Sequence, residues 1–286
     1  MTPYTKLNSQ GNDFILVEAS NLETKLSLKE IVKYSSRDNI GCDQFFVIDT
    51  ADKENIFCEV YNQDGSKACQ CGNGLRATML YLNKKYNLEK TNLIVCDAVY
   101  RSKIINGMIS INMGTPKYIE RLTQNSINGY SISKNGIVIT LQALDNELKF
   151  SFVPLSIGNN HCVVFSDYCI HHKEEISKTL QKIYNGIMNV GFVENTKDFL
   201  TNNNTIVKLT VNERGAGYTE SCGSGATAAA ICLFKLFELD NETKVDQSKI
   251  KIEQKGGLLE IVKNYNPDTF ELIGPSSYDG DGYLEH

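Results

Sequence analysis

The sequence predicts an α/β (α+β) protein made of two equivalent halves, and three observations support this prediction. Four short anchors recur in the same order about 150 residues apart. In each half, segments rich in β-branched and aromatic residues outnumber segments with helical periodicity. Each half also contains one Cys-Gly-x-Gly turn directly before an apolar helical segment. We therefore expect many strands and about two helices per half.

The repeat is the strongest of these observations. A single Gly-Asn pair is a common turn signal, and chance recurrence of such signals is the alternative explanation. Four anchors in one order, with an offset that drifts by only about four residues, favour duplication. The anchor pairs are Gly11-Asn12 with Gly158-Asn159, Asn39-Ile40-Gly41 with Asn189-Val190-Gly191, Val60 with Val211, and Cys71-Gly72-Asn73-Gly74 with Cys222-Gly223-Ser224-Gly225.

The predicted elements follow from local composition. β-Branched and aromatic enrichment predicts strands, and apolar residues three and four positions apart predict helices. The polar stretch 120–133 is predicted to cross from one half to the other. The predicted strands are 45–48, 55–60, 93–96, 109–113, 137–141, 149–154, 206–211 and 258–262, and the predicted helices are 27–34, 75–85, 174–184 and 226–237.

Composition and charge exclude several classes of partner. The 286 residues are 41% hydrophobic and 22% charged, with a net charge of −5. No segment approaches the roughly 18 apolar residues that a membrane span needs. No dense basic stripe is present, so neither nucleic acid nor an anionic membrane is an expected partner. Residues 1–6 lack the features of a signal peptide, so we expect a cytoplasmic protein.

The nine cysteines do not suggest a disulfide framework, because a secretory signal is not apparent. Five of them lie in apolar runs and are predicted to be small buried hydrophobic residues. These five are Cys58, Cys96, Cys162, Cys169 and Cys232. Cys71 and Cys222 differ, because each lies in a glycine-rich turn before a helix.

The chemistry of Cys71 and Cys222 follows from that position. A helix N-terminus lowers the pKa of a thiol, and its free N–H groups can hold a carboxylate. Two equivalent thiols predict stereoinversion, in which one removes an α-hydrogen and the other returns a proton from the opposite face. One alternative is a pair of turn cysteines packed under glycine loops. Metal or redox chemistry at Cys69-Gln70-Cys71 is another, but its spacing is not Cys-x-x-Cys and no second pair exists, so no metal is predicted.

Four segments together resemble one known family. They are Gln-Gly-Asn-Asp-Phe at 10–14, Tyr-Asn-Gln-Asp-Gly-Ser-Lys-Ala-Cys-Gln-Cys-Gly-Asn-Gly at 61–74, Gly-Asn-Asn-His-Cys-Val at 158–163, and Glu-Arg-Gly-Ala-Gly-Tyr-Thr-Glu-Ser-Cys-Gly-Ser-Gly at 213–225. The chain is similar to diaminopimelate epimerases from about residue 5 to 280. The resemblance implies two pseudosymmetric halves, 1–116 plus 268–286 and 117–267. Each half would be a strand-rich, barrel-like mixed sheet around a central helix, with the active site in the cleft between them.

The resemblance also implies an activity. Members of the family interconvert LL- and meso-2,6-diaminopimelate, a precursor of lysine and peptidoglycan, without a cofactor and commonly as homodimers. The expected partners are therefore a small amino-acid substrate and a second copy of the chain. Two alternatives remain open: another two-cysteine racemase of the same fold, acting for example on histidine, and a non-catalytic amino-acid-binding module.

The resemblance assigns roles to residues by motif position. The implied catalytic residues are Cys71, Cys222, His161 and Glu213. The implied substrate-binding residues are Asn12, Gln44, Asn62, Gly72, Asn73, Asn159, Asn189, Arg214, Gly223 and Ser224.

Ordinary structural roles stay open for several of these residues. Arg214 suits a bidentate grip on a carboxylate but also a surface ion pair, and His161 also fits a core histidine satisfied by backbone. The asparagines individually fit turns, and Asp43 is interpreted as a turn or capping residue. Tyr218 and Asn160 depart from the family pattern near the site and leave room for a different substrate or a looser loop.

Overall fold

The computed structural model describes residues 1–119, 130–132, 138–142, 149–165, 171–194, 206–239 and 248–285. The chain divides into two compact units, Met1–Asn112 with Leu272–His286, and Met113–Glu271. Cys169 and most of the predicted crossover at 120–133 lie outside the described residues.

The first unit begins with a hairpin and contains two α-helices. Its elements in chain order are β1 (Thr2–Ser9), β2 (Asn12–Glu18), a short 3-10 helix (Ala19–Asn21), α1 (Leu28–Ser35), β3 (Gln44–Asp49), β4 (Asn55–Asn62), α2 (Gly72–Tyr86), β5 (Lys90–Val95), β6 (Ala98–Ile105) and β7 (Met108–Gly114).

The second unit has the larger number of strands. Its elements are β8 (Lys117–Tyr118), β9 (Tyr130–Ile132), β10 (Ile139–Gln142), β11 (Lys149–Ile157), β12 (Asn159–Phe165), α3 (Lys173–Ile183), β13 (Asn189–Val193), β14 (Val207–Glu213), β15 (Gly217–Tyr218), α4 (Gly223–Leu239), β16 (Lys249–Gln254) and β17 (Gly257–Tyr265). The chain returns to the first unit within β18 (Asp268–Gly274), at Leu272, and ends in β19 (Ser277–Leu284).

Strand pairing in the first unit gives a mixed sheet around α2. β1 pairs antiparallel with β2 and β19, β2 runs parallel to β3, and β3 pairs antiparallel with β4. β4 then runs parallel to β5, which pairs antiparallel with β6. Residues 72–79 of α2 are all buried, and the helix packs against β1, β2, β5, β6 and β19. A helix buried on all sides belongs to the core, so α2 is the central helix of this unit.

The second unit repeats the same order of elements. β11 and β12 form the hairpin, β12 runs parallel to β13, and β13 pairs antiparallel with β14. β14 is parallel to β16, which pairs antiparallel with β17. The central helix is α4, which packs against β11, β12, β13, β14, β16 and β17. The order and direction of elements therefore match those of the first unit, which confirms the predicted duplication.

The shorter helix of each unit covers the outside of its sheet. Ile31 and Tyr34 of α1 pack in a core cluster with Ile15 of β2 and Phe45 of β3. In the second unit, Ile176 and Leu180 of α3 pack with Cys162 of β12 and Val190 of β13. Both helices carry their apolar residues on one face, as expected for a helix that covers a sheet.

Two cysteines are joined in a disulfide, which corrects the prediction for Cys96. Cys69 and Cys96 are exposed and bonded to each other, with their Cα atoms 5.5 Å apart. The predicted strand at 93–96 instead ends at Val95, and Cys96 lies in the following turn in a left-handed conformation (φ 51°). Because it lies in a turn and not in the strand, its side chain is not buried in the core. Cys58, Cys162 and Cys232 are buried free thiols, as predicted.

Within the described ranges, no helix is long and apolar enough to cross a membrane.

Candidate active site

Cys71 is the N-cap residue of α2. Its carbonyl accepts the first helical hydrogen bond from the N–H of Leu75 (2.9 Å), and its Sγ accepts the N–H of Gly74 (3.2 Å). A glycine is needed at 74 because a Cβ there would lie 2.2 Å from Cζ of Phe46. The Cys-Gly-x-Gly turn thus directs a helix N-terminus and a backbone donor at the thiol, and both favour the thiolate.

Cys222 has the same backbone arrangement in the second unit. Its carbonyl accepts the N–H of Ala226 (2.9 Å), and its Sγ accepts the N–H of Gly225 (3.3 Å). A Cβ on Gly225 would lie 2.9 Å from Cγ2 of Val211 and 3.2 Å from the Cys222 sulfur. The prediction that each cysteine lies at a helix N-terminus is therefore confirmed for both.

Asn12 lies beside the sulfur of Cys71. Its Oδ1 is 3.9 Å from Cys71 Sγ and accepts a hydrogen bond from Nδ2 of Asn73 (3.4 Å). Its Nδ2 donates to Oδ2 of Asp43 (2.7 Å). Asp43 was interpreted from sequence as a turn or capping residue, but it contacts a predicted site residue. No local sequence signal links Asp43 to Asn12, because the two residues meet only through the parallel pairing of β2 and β3.

Gln44 and Asn62 lie opposite each other on neighbouring strands. They are register partners in the β3–β4 ladder, and Nε2 of Gln44 donates to Oδ1 of Asn62 (3.0 Å). Nδ2 of Asn62 donates in turn to Oγ of Ser66 (3.0 Å). In the first unit, the predicted residues thus form two groups, one at Asn12, Cys71 and Asn73, and one at Gln44 and Asn62.

Cys222 is surrounded by polar groups although it is buried. Oγ of Ser224 lies 3.6 Å from its Sγ, and the carboxylate of Glu213 contacts the same thiol. Burial raises the pKa of the Cys222 thiol well above its usual value, and the charge of Glu213 raises it further. The N–H of Gly225 and the hydroxyl of Ser224 act in the opposite direction. Cys222 is therefore held as a neutral thiol next to a group that can accept its proton.

His161 extends this cluster through Ser224. It is fully buried on β12, and its Nε2 lies 3.1 Å from Oγ of Ser224. Its Nδ1 has no hydrogen-bond partner among the residues that the structure describes. Burial lowers the pKa of His161 to about 3, so the ring is neutral near pH 7. The partner of this ring is a serine hydroxyl, so a core histidine satisfied by backbone does not describe His161.

The remaining predicted residues lie on adjacent strands of the second unit or, for Arg214, in the turn directly after one of them. Asn189 on β13 bridges two backbone groups: Nδ2 donates to the carbonyl of Asn160 (3.2 Å), and Oδ1 accepts the N–H of Arg214 (2.9 Å). Asn159 begins β12. The guanidinium of Arg214 is exposed and forms no ion pair within the described part of the chain, so the alternative of a surface ion pair is not what the structure shows. Tyr218 is exposed on β15, opposite Asn212.

Two further residues near the thiols were missed by the sequence reasoning. Gln254, at the end of β16, hydrogen-bonds the backbone of Cys222. Arg76 on α2 is fully buried; its Nη2 donates to Oε1 of Gln10 (3.1 Å), and its Nη1 has no partner among the described residues. Burial lowers the pKa of Arg76 to about 10, and the Cys71 thiolate acts against this shift. The sequence signal for Arg76 is a charged residue within an apolar helical segment, and that for Gln254 is a polar residue at an inward position of an alternating strand.

The described residues contain no group of three or more His, Cys, Asp and Glu side chains placed to hold a metal ion. What the arrangement offers is acid–base chemistry: two thiols with helix N-termini, one with a carboxylate and the other with an amide oxygen close by. Such groups can transfer protons to and from carbon.

Comparison with known proteins places the chain in a family. The family model described as "Diaminopimelate epimerase" matches residues 4–118 and 153–275. The diaminopimelate epimerase of Legionella pneumophila (strain Paris) is 30% identical over 298 residues, covering 98% of each chain. That of Acinetobacter baumannii (strain ATCC 17978) is 28% identical over 291 residues, covering 99% of this chain and 96% of the relative.

Solved structures show the same fold at low sequence identity. A Pseudomonas aeruginosa protein described as a predicted epimerase has a TM-score of 0.67 at 10% identity, covering 100% of both chains. A hydroxyproline epimerase from Agrobacterium vitis has a TM-score of 0.63 at 8% identity, covering 98% of this chain and 91% of that one. These likenesses confirm the strand-rich, two-domain α+β fold predicted from the sequence.

Proposed function

The chain belongs to the diaminopimelate epimerase family and is an isomerase, and from this premise we propose that it interconverts LL- and meso-2,6-diaminopimelate with Cys71 and Cys222 as its two acid–base groups. The observation that carries the proposal is the repeated thiol geometry. Each cysteine directly precedes a central helix and accepts a hydrogen bond from the N–H three residues on. A protein that only bound an amino acid would not need this arrangement twice.

The proposed reaction is a proton exchange at the α-carbon. One cysteine, as thiolate, takes the α-hydrogen as a proton, which leaves the bonding electron pair on carbon and delocalised into the carboxylate. The other cysteine, as thiol, gives its proton to the opposite face of the same carbon. Backbone N–H groups at Gly72-Asn73 and Gly223-Ser224 would hold the reacting carboxylate, because helix N-termini stabilise negative charge there.

Cys222 fits the role of the resting acid. Its pKa is raised by burial and by Glu213, so it is protonated at neutral pH. After a turnover Cys222 is the thiolate, so in the reverse reaction it is the base; Glu213, which contacts the thiol, would take up and return its proton between turnovers. Two thiols that must be in opposite protonation states give a rate with a bell-shaped dependence on pH.

His161 would act through the hydroxyl of Ser224. An unpaired buried N–H is rarer in proteins than an unpaired acceptor, so the proton of the neutral ring belongs on Nε2, since Nδ1 has no described partner. Nε2–H then donates to Oγ of Ser224, and the hydroxyl hydrogen is left to point at Cys222 Sγ, 3.6 Å away. The proposed effect is stabilisation of the Cys222 thiolate when it forms.

The substrate assignment depends on the residues at the distal end. Asn62, Asn159, Asn189 and Arg214 would hold the amino and carboxyl groups of the second stereocentre, with Asn12 and Gln44 as further contacts. An exposed guanidinium without an ion pair among the described residues is available for a carboxylate. The homodimer, the cytoplasmic location, the absence of a cofactor and the role in lysine and peptidoglycan precursor synthesis stay predictions.

The test is exchange of the α-proton in deuterated water, followed by NMR. We expect exchange and epimerisation with LL-diaminopimelate, and loss of epimerisation in both Cys71→Ser and Cys222→Ser. Cys58→Ala and Cys232→Ala are matched controls, because they are buried free thiols outside the two turns and should keep activity.

Three other outcomes would each contradict part of the proposal. Full epimerisation by either single serine variant would exclude the two-thiol mechanism. Exchange with histidine or another amino acid but not with diaminopimelate would support a different two-cysteine racemase. Binding without any exchange would support a non-catalytic binding module.

A further inference from the structure

Asp43 accepts hydrogen bonds on both of its carboxylate oxygens. Oδ1 accepts from Nη2 of Arg37 (2.6 Å). Oδ2 accepts from Nδ2 of Asn12 (2.7 Å) and from the backbone N–H of Asp13 (3.1 Å). An ionised carboxylate can only accept. Whatever group of Asn12 faces Asp43 must therefore be a donor.

This requirement decides which end of the Asn12 amide faces the thiol. The oxygen and nitrogen of an asparagine amide have nearly the same shape, so either orientation fits the same space. Asp43 takes the nitrogen, which leaves the oxygen 3.9 Å from Sγ of Cys71. Nδ2 of Asn73 donates to that oxygen (3.4 Å) and agrees with this orientation.

We propose that Asp43 is a positioning residue that fixes the orientation of the Asn12 amide, so that an acceptor and not a donor faces Cys71 and the substrate. This inference rests on the proposed function, in which Asn12 and Cys71 belong to one site. An acceptor suits the ammonium group of an amino acid, which has only donors to offer. It also lets the S–H of Cys71 donate, whereas a reversed amide would place a second N–H donor on the sulfur beside that of Gly74.

The first test needs no substrate, so it stays decisive if the proposed function fails. The rate at which iodoacetamide alkylates Cys71 is measured at one neutral pH by mass spectrometry of the Cys71 peptide, with the Cys69–Cys96 disulfide intact. In Asp43→Asn and Asp43→Ala the amide can reverse and stabilise the thiolate. We expect alkylation at least three-fold faster in both, and a rate near wild type in Asp43→Glu, which keeps an acceptor-only carboxylate.

A double-mutant cycle separates this effect from the loss of charge. Removing the Asp43 charge also favours a thiolate through space, and Arg76 of α2 is a further charge acting on Cys71. In an Asn12→Ala background the through-space effect persists but the amide effect cannot. We expect Asp43→Asn to change the alkylation rate less than two-fold in that background. The proposal is wrong if Asp43→Asn accelerates alkylation of Cys71 equally with and without Asn12, or if it does not accelerate alkylation at all.

The second readout is steady-state kinetics with LL-diaminopimelate. A reversed amide presents a donor to the substrate ammonium, so we expect KM to rise about ten-fold in Asp43→Asn while kcat changes less. Asp52→Asn is the matched control, because Asp52 also accepts from an asparagine amide (Nδ2 of Asn55, 3.0 Å) but at an exposed turn. If the wild-type protein does not epimerise LL-diaminopimelate, the proposed function is wrong, but the alkylation rates still test the role of Asp43. An unchanged KM in Asp43→Asn would count against Asp43 alone.

Discussion

The side-chain amide of Gln254 holds the backbone of Cys222 at both of its polar groups. The N–H of Cys222 donates to Oε1 of Gln254 (2.7 Å), and Nε2 of Gln254 donates back to the carbonyl of Cys222 (3.2 Å). The two residues are 32 positions apart, and both are buried. The turn that carries the thiol is thereby fixed to the end of β16.

Replacing Gln254 with methionine should therefore loosen the turn. Gln254→Met keeps the volume but leaves the N–H of Cys222 buried and unpaired, which costs about 1–3 kcal/mol. We expect the free energy of unfolding in urea to fall by that amount, and kcat to fall more than KM rises. Glu253→Met, on the exposed face of the same strand, is the control and should stay within about 0.5 kcal/mol of wild type. Equal stabilities of the two variants would contradict the role given to Gln254.

Removing the hydroxyl of Ser224 should lower the rate of epimerisation. A hydrogen bond to a charged group contributes about 1.5–3 kcal/mol, so Ser224→Ala should lower kcat about 10- to 100-fold. Thr227→Val is the control within the same helix, because the hydroxyl of Thr227 donates to the carbonyl of Gly223 (2.9 Å) and not to the thiol. Steady-state epimerisation rates of the two variants give the comparison. Similar losses in both would mean that any buried hydroxyl in this helix has the same effect.

His161 should make the protein less stable in mild acid. Its pKa is about 3 in the folded protein and near 6.5 when unfolded, so the unfolded state binds more protons between these values. Stability is complete above pH 6.5 and falls as the pH falls toward 3. Relative to mildly alkaline pH, the loss at pH 5 should be about 2 kcal/mol, since each pKa unit corresponds to about 1.4 kcal/mol.

Urea unfolding at several pH values would measure this slope. His161→Gln should flatten it in that window, where few carboxyl groups titrate. His172→Gln, which changes a partly exposed histidine, gives the comparison: a larger flattening in His161→Gln than in His172→Gln assigns the slope to the buried ring. A steep slope that survives in His161→Gln would assign the acid sensitivity to other groups.

Gly74 should tolerate no side chain. The methyl group of Gly74→Ala would meet the ring of Phe46, and overpacking of this kind typically costs about 1–3 kcal/mol. We expect a lower Tm and reduced activity, because α2 must shift away from the ring and Cys71 begins that helix. The double variant Gly74→Ala/Phe46→Leu should recover part of the stability, because leucine lacks the ring atoms that the new methyl group would contact. Gly107→Ala is not a suitable control, because Gly107 has a φ of +76° and a side chain there would strain the backbone.

The elements that could be predicted from the sequence are those set by local pattern. The helix predicted at 75–85 begins three residues earlier, at Gly72, directly after Cys71. Periodicity finds the apolar part of a helix, whereas glycines at its first turn carry no periodic signal. The strand predicted at 206–211 likewise extends to Glu213, since its polar end does not show the enrichment used to find it.

Contacts between distant segments could not be predicted in the same way. Gln254 occupies an inward position of a strand in which Ile250 and Ile252 are also buried, so a polar residue in that series was a readable signal. That Cys222 is its partner could not be predicted, because a glutamine side chain can hydrogen-bond any backbone group within reach. The roles of Asp43 and Cys96 were predicted from their neighbours in sequence. Each instead depends on a contact with a residue 27 or more positions away, Asn12 for Asp43 and Cys69 for Cys96.

The Cys69–Cys96 disulfide closes a covalent ring that contains Cys71, all of α2 and β5. A ring remains a ring when the chain unfolds, and a closed loop of this length removes entropy worth about 3–4 kcal/mol from the unfolded state. In the second unit no disulfide is found among the described residues. A reducing agent should therefore weaken one half of the duplicated protein and leave the other as it was. Two copies of one ancestral fold would then differ in their response to the redox conditions around them.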